Sequence, residues 1–227
     1  MDANRLKGSH FPKYIVLQAV YWYLRYSLSY RDIEELMQER GVEVDHATIQ
    51  RWVVKYTPMI ESNFRKKKQP VGKSWRMDET YIKIKGAWYY LYRAVDKDGN
   101  TIDFLLTEKR DTKAAKRFLI KAIENNGLPE KITIDKSGAN KAAIEEYNEE
   151  NNTSIEIRQI KFLNNIVEQD HRGIKRITKH MLGFKSFDSA SGTLNGIEMV
   201  RMIKKGQFNT KGNSHQNPAE IFYSLAP

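Results

Sequence analysis

Three acids, Asp78, Asp135 and Glu168, occur where a pair of divalent ions could be held for an in-line displacement at phosphorus. Asp78 falls in an apolar-alternating stretch and Asp135 ends a second one. Glu168 lies on a stretch of helical periodicity, with Lys175 about two turns, roughly 10 Å, farther along the same face. Carboxylate oxygens suit Mg²⁺, which prefers octahedral geometry and retained water. Two such ions can activate a water or a 3′-hydroxyl and stabilise the departing oxygen, so no side-chain nucleophile is required. Each acid also has a plainer role open to it. Asp78 could be a hairpin-end acid that reaches solvent, and Asp135 a helix N-cap. The row Glu168, His171, Arg172 and Lys175 could be a salt-bridged exposed face, and Asp170 is a rival for the position of Glu168. The combination favours a shared site, because each acid sits on the element and in the chain order that such a site would use.

Those elements can be read from pattern. Residues 75–84 and 88–95 are rich in aromatic and β-branched types and are separated by Lys85 and Gly86, which predicts a hairpin. Asp78 shares its face with Thr80, Ile82 and Ile84, read as the apolar side, while Lys83 and Lys85 point the other way. Asp98, Gly99 and Asn100 mark a turn, and residues 101–106 supply a third strand. Residues 111–125 carry Ala114, Ala115, Phe118, Leu119 and Ala122 at helical spacing, ended by Asn126, Gly127 and Pro129. Residues 131–134 form a short buried-type strand, with Asp135 at the edge where α/β sheets place ligands, and a helical stretch follows. The helix of Glu168 is expected from about residue 165 past Met181, with Val167, Ile174, Ile177 and Met181 as its apolar stripe. Residues 190–205 read as a further helix that closes the core. Residues 213–227 read as a tail with a short helix after Pro218, available for self-association. Three antiparallel strands, a crossover helix and a fourth strand give the order of a ribonuclease H-like α/β core, a mixed sheet flanked by helices.

An all-α module precedes it. Residues 15–24 predict a buried first helix, and Ser29 with Asp32 begins a capping box for a second, which stops at Gly41. Asp45 is placed to cap a third helix that turns Ile49, Trp52, Val53 and Tyr56 inward and ends at Pro58. Two short amphipathic helices joined by a glycine turn fit a helix-turn-helix. Its second helix would direct Ala47, Thr48, Gln50, Arg51 and Lys55 outward. Arg can bond guanine bidentately, Gln adenine, and a methyl-bearing residue can meet thymine. A helical hairpin with Arg51 and Lys55 merely solvated is the alternative. Arg65 to Lys68, followed by Gln69, Pro70, Val71 and Gly72, look like a basic linker. The expected division is a helical DNA-binding domain over 1–64, a linker over 65–73, a catalytic domain over 74–210 and a tail over 211–227.

Composition agrees with a polyanionic partner. Lys and Arg number 38 against 28 Asp and Glu, a formal charge of +10. The absence of Cys excludes disulfides, thiolate zinc sites and Cys nucleophiles. Residues 1–13 contain no apolar signal core, and no run approaches the roughly 20 apolar residues that span a bilayer, so the expected place is the cytoplasm, without a membrane partner. Other strand-processing chemistries lack their residues. Ile174 stands where a His-x-x-Arg pair starting at His171 would need Arg, and the His residues 10, 46, 171, 180 and 215 form no close pair. No Gly-x-x-x-x-Gly-Lys-Ser/Thr loop occurs.

The chain resembles the DDE transposases of bacterial insertion sequences, specifically the insertion sequence six family. The likeness is carried by Ser29-Tyr30-Arg31-Asp32-Ile33, Arg76-Met77-Asp78-Glu79-Thr80-Tyr81-Ile82-Lys83 and Asn164-Asn165-Ile166-Val167-Glu168-Gln169-Asp170-His171. It continues through Leu182-Gly183-Phe184-Lys185-Ser186 and Gly196-Ile197-Glu198. The resemblance implies a helix-turn-helix that binds terminal inverted repeats, a ribonuclease H-like core, and Mg²⁺-dependent 3′-end cleavage and strand transfer, with Mn²⁺ as an acceptable substitute. It assigns catalysis and metal binding to Asp78, Asp135 and Glu168, and a downstream basic role to Lys175. Thr48, Gln50, Arg51, Lys55, Arg172 and Lys175 are the candidate DNA contacts. The implied partners are double-stranded DNA, both terminal repeats and target, and further copies of the chain in a homodimer or larger assembly, nucleoid-associated when bound to DNA. A catalytically inactive helix-turn-helix regulator and a generic metal-dependent nuclease are the competing readings.

Overall fold

The alternating stretches of residues 74–107 fold as a meander of β1 (Ser74–Ile84), β2 (Ala87–Asp96) and β3 (Thr101–Thr107) in a computed structural model. Leu6 and residues 10–179, 181, 183–209 and 216–226 are described; His180, Leu182 and residues 213–215 of the expected tail lie outside the described residues. Lys85 (φ 48°) and Gly86 (φ 84°) turn the first hairpin in the doubly positive conformation that matches strand twist. Asp96 organises the second turn by accepting the N–H groups of Asp98 at 3.0 Å and Asn100 at 2.9 Å.

The crossover follows from a capped amphipathic helix. Asp111 accepts the Ala114 N–H at 2.8 Å to start α4 (Thr112–Asn126), which returns the chain to β4 (Lys131–Thr133), parallel to β1. α5 (Gly138–Asn151) then leads to β5 (Glu156–Arg158), parallel to β4. The order β3-β2-β1-β4-β5 is that of a ribonuclease H-like sheet. β5 is a strand that pattern did not predict. It holds one apolar residue between Glu156 and Arg158, and pairing with β4 rather than its own periodicity makes it a strand.

One face of the sheet packs on α4 and α5. Trp75, Met77, Tyr92 and Ala94 of the sheet meet Ala115, Phe118 and Leu119 of α4 and Ala143 and Ile144 of α5. Asp78 points to the opposite face, where its neighbours Thr80, Ile82 and Ile84 are buried, while Lys83 and Lys85 are exposed, as alternation predicts. Arg76 and Arg93 share the side of Asp78 and are also buried. Alternation separates two faces without saying which one α4 and α5 will cover.

The chain divides into two units, residues 70–173, and residues 1–69 with 174–227. The second contains α1 (Lys13–Arg25), α2 (Tyr30–Gln38), α3 (His46–Arg65), α7 (Phe187–Lys204) and α8 (Pro218–Ser224). Ser29 and Asp32 form the reciprocal capping box of α2. Gly41 (φ 73°) ends that segment, with the Val42 N–H donating to the Met37 carbonyl at 3.0 Å. Asp45 caps α3 by accepting the Thr48 N–H at 2.9 Å.

Three features of this unit differ from expectation. Pro58 does not end α3, which continues to Arg65. Pro58 and Val54, whose carbonyl loses its partner, are on the exposed side, while buried Ile60 and Phe64 hold the second half in place. Residues 67–69 are not an open linker. The Asn209 N–H donates to the Lys67 carbonyl at 3.0 Å and the Gln69 N–H to the Gln207 carbonyl at 3.0 Å, with Phe64 stacked on Phe208. Finally, α7 packs on α1 and α3, and α8 places Phe222 against Tyr21 of α1. The part of the expected 74–210 domain beyond residue 173 thus folds with the N-terminal helices, because their apolar faces complement the α7 stripe.

Gly196 is the closest point of that packing. A Cβ there would lie 2.6 Å from Leu24 Cδ2 and 2.6 Å from Thr57 Cγ2, both in buried residues. Gly196→Val should therefore destabilise the protein by about 1–3 kcal/mol, the usual cost of overpacking a filled core. Urea denaturation checks this, and an unchanged midpoint would show that the contact relaxes freely.

Candidate active site

Asp78 occupies the middle of β1, directly opposite Arg93 of β2. α6 (Lys161–Thr178) crosses this face, beginning before the expected start near residue 165 and ending before Met181. Within residues 70–173 it is tied to the sheet at three points. The Asn164 side-chain amide donates to the Met77 carbonyl at 3.4 Å, Asp170 Oδ2 accepts from Arg93 Nη2 at 2.5 Å, and His171 Nδ1 lies 3.7 Å from Asp78 Oδ2. Asp170 is thereby engaged by Arg93, which distinguishes it from the exposed Glu168 two residues earlier. His171 is 5% exposed, so the expected solvent stripe of α6 contains Glu168, Arg172 and Lys175 but not His171.

Asp135 follows β4 at the carboxyl edge of the sheet. Its Oδ1 accepts the Ser137 N–H at 2.8 Å, which fixes the carboxylate within a tight turn. Asp135 is not the N-cap of α5; that position is Ser137.

The fields of these acids meet at Asp78. Burial and then the adjacent Glu79 charge push the Asp78 carboxyl up to about 7 against the lowering effect of the Glu79 backbone N–H, and Asp135 and Glu168 add to the rise. Side chains from the β4 edge and from α6 thus each act on the acid of β1. They are not closed into a cage, since no three His, Asp or Glu among the described residues are drawn together tightly enough to hold a metal ion as they stand.

Pattern missed the residues that support this arrangement. Glu79 turns to the α5 side, where it accepts from the Asn140 amide at 3.1 Å and pairs with Arg110. Burial acts most strongly on Arg110 and lowers it, but the charge and hydrogen bond of Glu79 together with Tyr81 and Asp135 hold it above its usual range. A polar residue on the inward side of a strand was the available signal for both Glu79 and Arg93, but their partners lie 31 and 77 residues away.

A second polar face occurs in the helical unit. Gln50, Arg51 and Lys55 are exposed on α3. Thr48 donates through its hydroxyl to Asp45 at 2.6 Å and accepts from Arg51 Nη2 at 2.6 Å, so the capping acid also steadies Arg51.

Residues 72–207 match a family model described as a DDE domain. Over 204 residues, 89% of both chains, the sequence is 41% identical to the transposase for insertion sequence-like element IS431mec of Staphylococcus aureus. The chain belongs to the DDE transposase family. It is accordingly an insertion-sequence transposase, a polynucleotidyl transferase by chemistry. It is equally similar, 41% over 89% of each chain, to the Staphylococcus aureus transposase for insertion sequence element IS257 in transposon Tn4003. Among solved structures it resembles the trimeric form of the HTLV-2 integrase catalytic core domain in complex with magnesium, at 19% identity and a TM-score of 0.48, covering 68% of this chain and 97% of that one. The BIV integrase catalytic core domain is similar at 16% identity and a TM-score of 0.45, covering 67% and 95%. No helix among the described residues of this transposase is long and apolar enough to cross a membrane.

Two outcomes are expected. Asp170→Ala removes the carboxylate facing a fully buried guanidinium and should cost about 3 kcal/mol in urea denaturation, whereas Arg93→Met with Asp170→Leu should recover much of that loss. A loss below about 0.5 kcal/mol for the single variant, within ordinary surface-substitution scatter, would show that the pair does not secure α6. The second concerns pH. The folded pKa of Asp78 is raised, so its stabilising contribution is complete below about pH 4 and is lost as pH rises to about 7, by about 1.4 kcal/mol per unit. In chelator, Asp78→Asn should gain stability over the parent across that window, and a difference independent of pH would contradict the shift.

Proposed function

We propose that this transposase binds the terminal inverted repeats of an insertion sequence through α3 and performs 3′-end cleavage and strand transfer at Asp78, Asp135 and Glu168 with Mg²⁺. The observation that carries the reading is the convergence at Asp78: burial and the adjacent Glu79 charge chiefly disfavour its charged form, and acids from the β4 edge and from α6 add to this. An oxygen-only donor set whose like-charge repulsion is only partly offset fits a hard divalent cation. When bound, such ions would activate the attacking water or 3′-hydroxyl and stabilise the leaving oxygen.

The chain's own residues supply position. Asp78 is fixed by β1, Asp135 by its turn, and Glu168 by the anchorage of Asn164 and Asp170 on either side of it. Glu168 is exposed, which leaves that side open to a polynucleotide, and Arg172 and Lys175 continue along α6 at a spacing able to follow phosphates. On α3, Gln50, Arg51 and Lys55 are presented for base and phosphate contacts, and Thr48 steadies Arg51. Two DNA ends must be brought together for transposition, so a homodimer or larger assembly completes the reading.

Joining assays with oligonucleotides bearing the element's ends test it. In Mg²⁺ the parent should cut and join, with Mn²⁺ able to replace Mg²⁺ and chelator abolishing both steps. Asp78→Asn, Asp135→Asn and Glu168→Gln should each remove strand transfer while leaving terminal-repeat binding nearly intact. Joining retained by any one of them would take that residue out of the site; binding without cutting by the parent would mark a regulator, and cutting without joining a nuclease. Arg51→Ala should weaken repeat binding by about 1–3 kcal/mol. An equal loss on random DNA would show that Arg51 touches only phosphate.

A further inference from the structure

The face of β1 and β2 that packs the core at Met77 and Ala94 runs outward into aromatic residues that stay in water. Trp88 is 58% exposed and Tyr81 47%. They lie edge to face with ring centroids 6.1 Å apart, and Tyr81 meets Tyr90 at 5.4 Å. Lys83, opposite Trp88 in the strand register, places its ammonium 5.6 Å from the Trp88 ring centroid. Exposed Lys85 stands at the hairpin tip, and Arg110 neutralises Glu79 at the inner end. The catalytic reading uses none of these aromatic residues.

We propose that Tyr81, Trp88 and Tyr90 form a stacking platform for unpaired DNA bases, with Lys83 and Lys85 on the accompanying phosphates. Charge decides between occupants. A second protein copy would favour a patch depleted of lysine at its centre, whereas single-stranded nucleic acid is held by aromatic faces interleaved with cations. Lys83 already lies over the Trp88 ring, so the cation and the π-face occupy the same patch. Position is consistent with this. Tyr81 is three residues from Asp78 on β1, roughly 10 Å along the strand though on its opposite face. The pairing of β4 with β1 stops at Arg76, so that strand does not run between the two positions. The inference rests on the proposed strand cleavage only for the origin of the unpaired DNA; base stacking itself requires no reaction.

The test is fluorescence anisotropy with the full chain and a short labelled oligothymidylate, in chelator so that nothing is cut. Trp88→Ala and Tyr81→Ala should each weaken binding roughly 5- to 100-fold, the range for removal of one stacked base. Trp88→Phe should bind nearly as the parent does. Duplex terminal-repeat affinity and thermal melting should stay unchanged in all three, since both side chains project into solvent. Parental affinity of Trp88→Ala for the oligothymidylate would overturn the proposal, as would an equal loss on duplex. A fall in sedimenting mass of Trp88→Ala without a change in affinity would overturn it in favour of a seat for a second copy. Failure of the joining assay alongside Trp88-dependent binding would reject the catalytic reading and leave the platform standing; the reverse pattern would reject the platform alone.

Discussion

The buried contact of Arg93 with Asp170 is the constraint on which the site depends. A guanidinium that is 0% exposed needs a charge partner, and Asp170 of α6 supplies one. Helical geometry carries the consequence along the chain. Asp170 is two residues beyond Glu168 and directly before His171, so fixing it sets the rotation of both. Asn164, bonded to the Met77 carbonyl, fixes the axis about one and a half turns earlier. A helix held at two such points cannot turn Glu168 away without abandoning a buried charge.

That anchorage works against repulsion. Asp78, Glu79, Asp135 and Glu168 would separate if left to their charges, and local partners offset only part of the cost. Glu79 has Arg110 and Asn140, Asp135 has the Ser137 N–H, and Asp78 has the Glu79 backbone N–H together with His171 nearby. The excess falls on Asp78, whose charged form is the one disfavoured. The fold thus keeps a region of concentrated negative potential beside an exposed acid, a setting suited to a cation and, through it, to phosphate oxygens. The neutralisation of Glu79 has a second effect, because it keeps the neighbouring Tyr81 and Trp88 surface from becoming acidic.

Local signals identified most elements well. The hairpin at Lys85 and Gly86, the capping box of Ser29, the cap at Asp45 and the stop at Gly41 are each decided within four residues, so their physics is present in short stretches. Pro58 failed as a signal because its local cost is outweighed by burial of Ile60 and Phe64, side chains whose partners are distant in sequence. The β5 strand and the pairing of residues 67–69 with 207–209 were illegible for the same reason: each exists only through the backbone it bonds to. Met77 and Asp78 show a finer version. Alternation put them on opposite sides, but the side that received α4 and α5 was settled by packing.

Sequence by itself determined the identities and chain order of Asp78, Asp135 and Glu168, the elements that bear them and the excess of positive charge. Short-range backbone preferences and side-chain chemistry are sufficient for those. Tertiary structure alone decided that Asp170 goes to Arg93 while Glu168 faces solvent, that His171 is buried beside Asp78, and that α7 joins the N-terminal helices. Each of these is a choice among distant partners, made by the cost of burying a charge and by the fit of one apolar face to another, neither of which exists until the chain has folded.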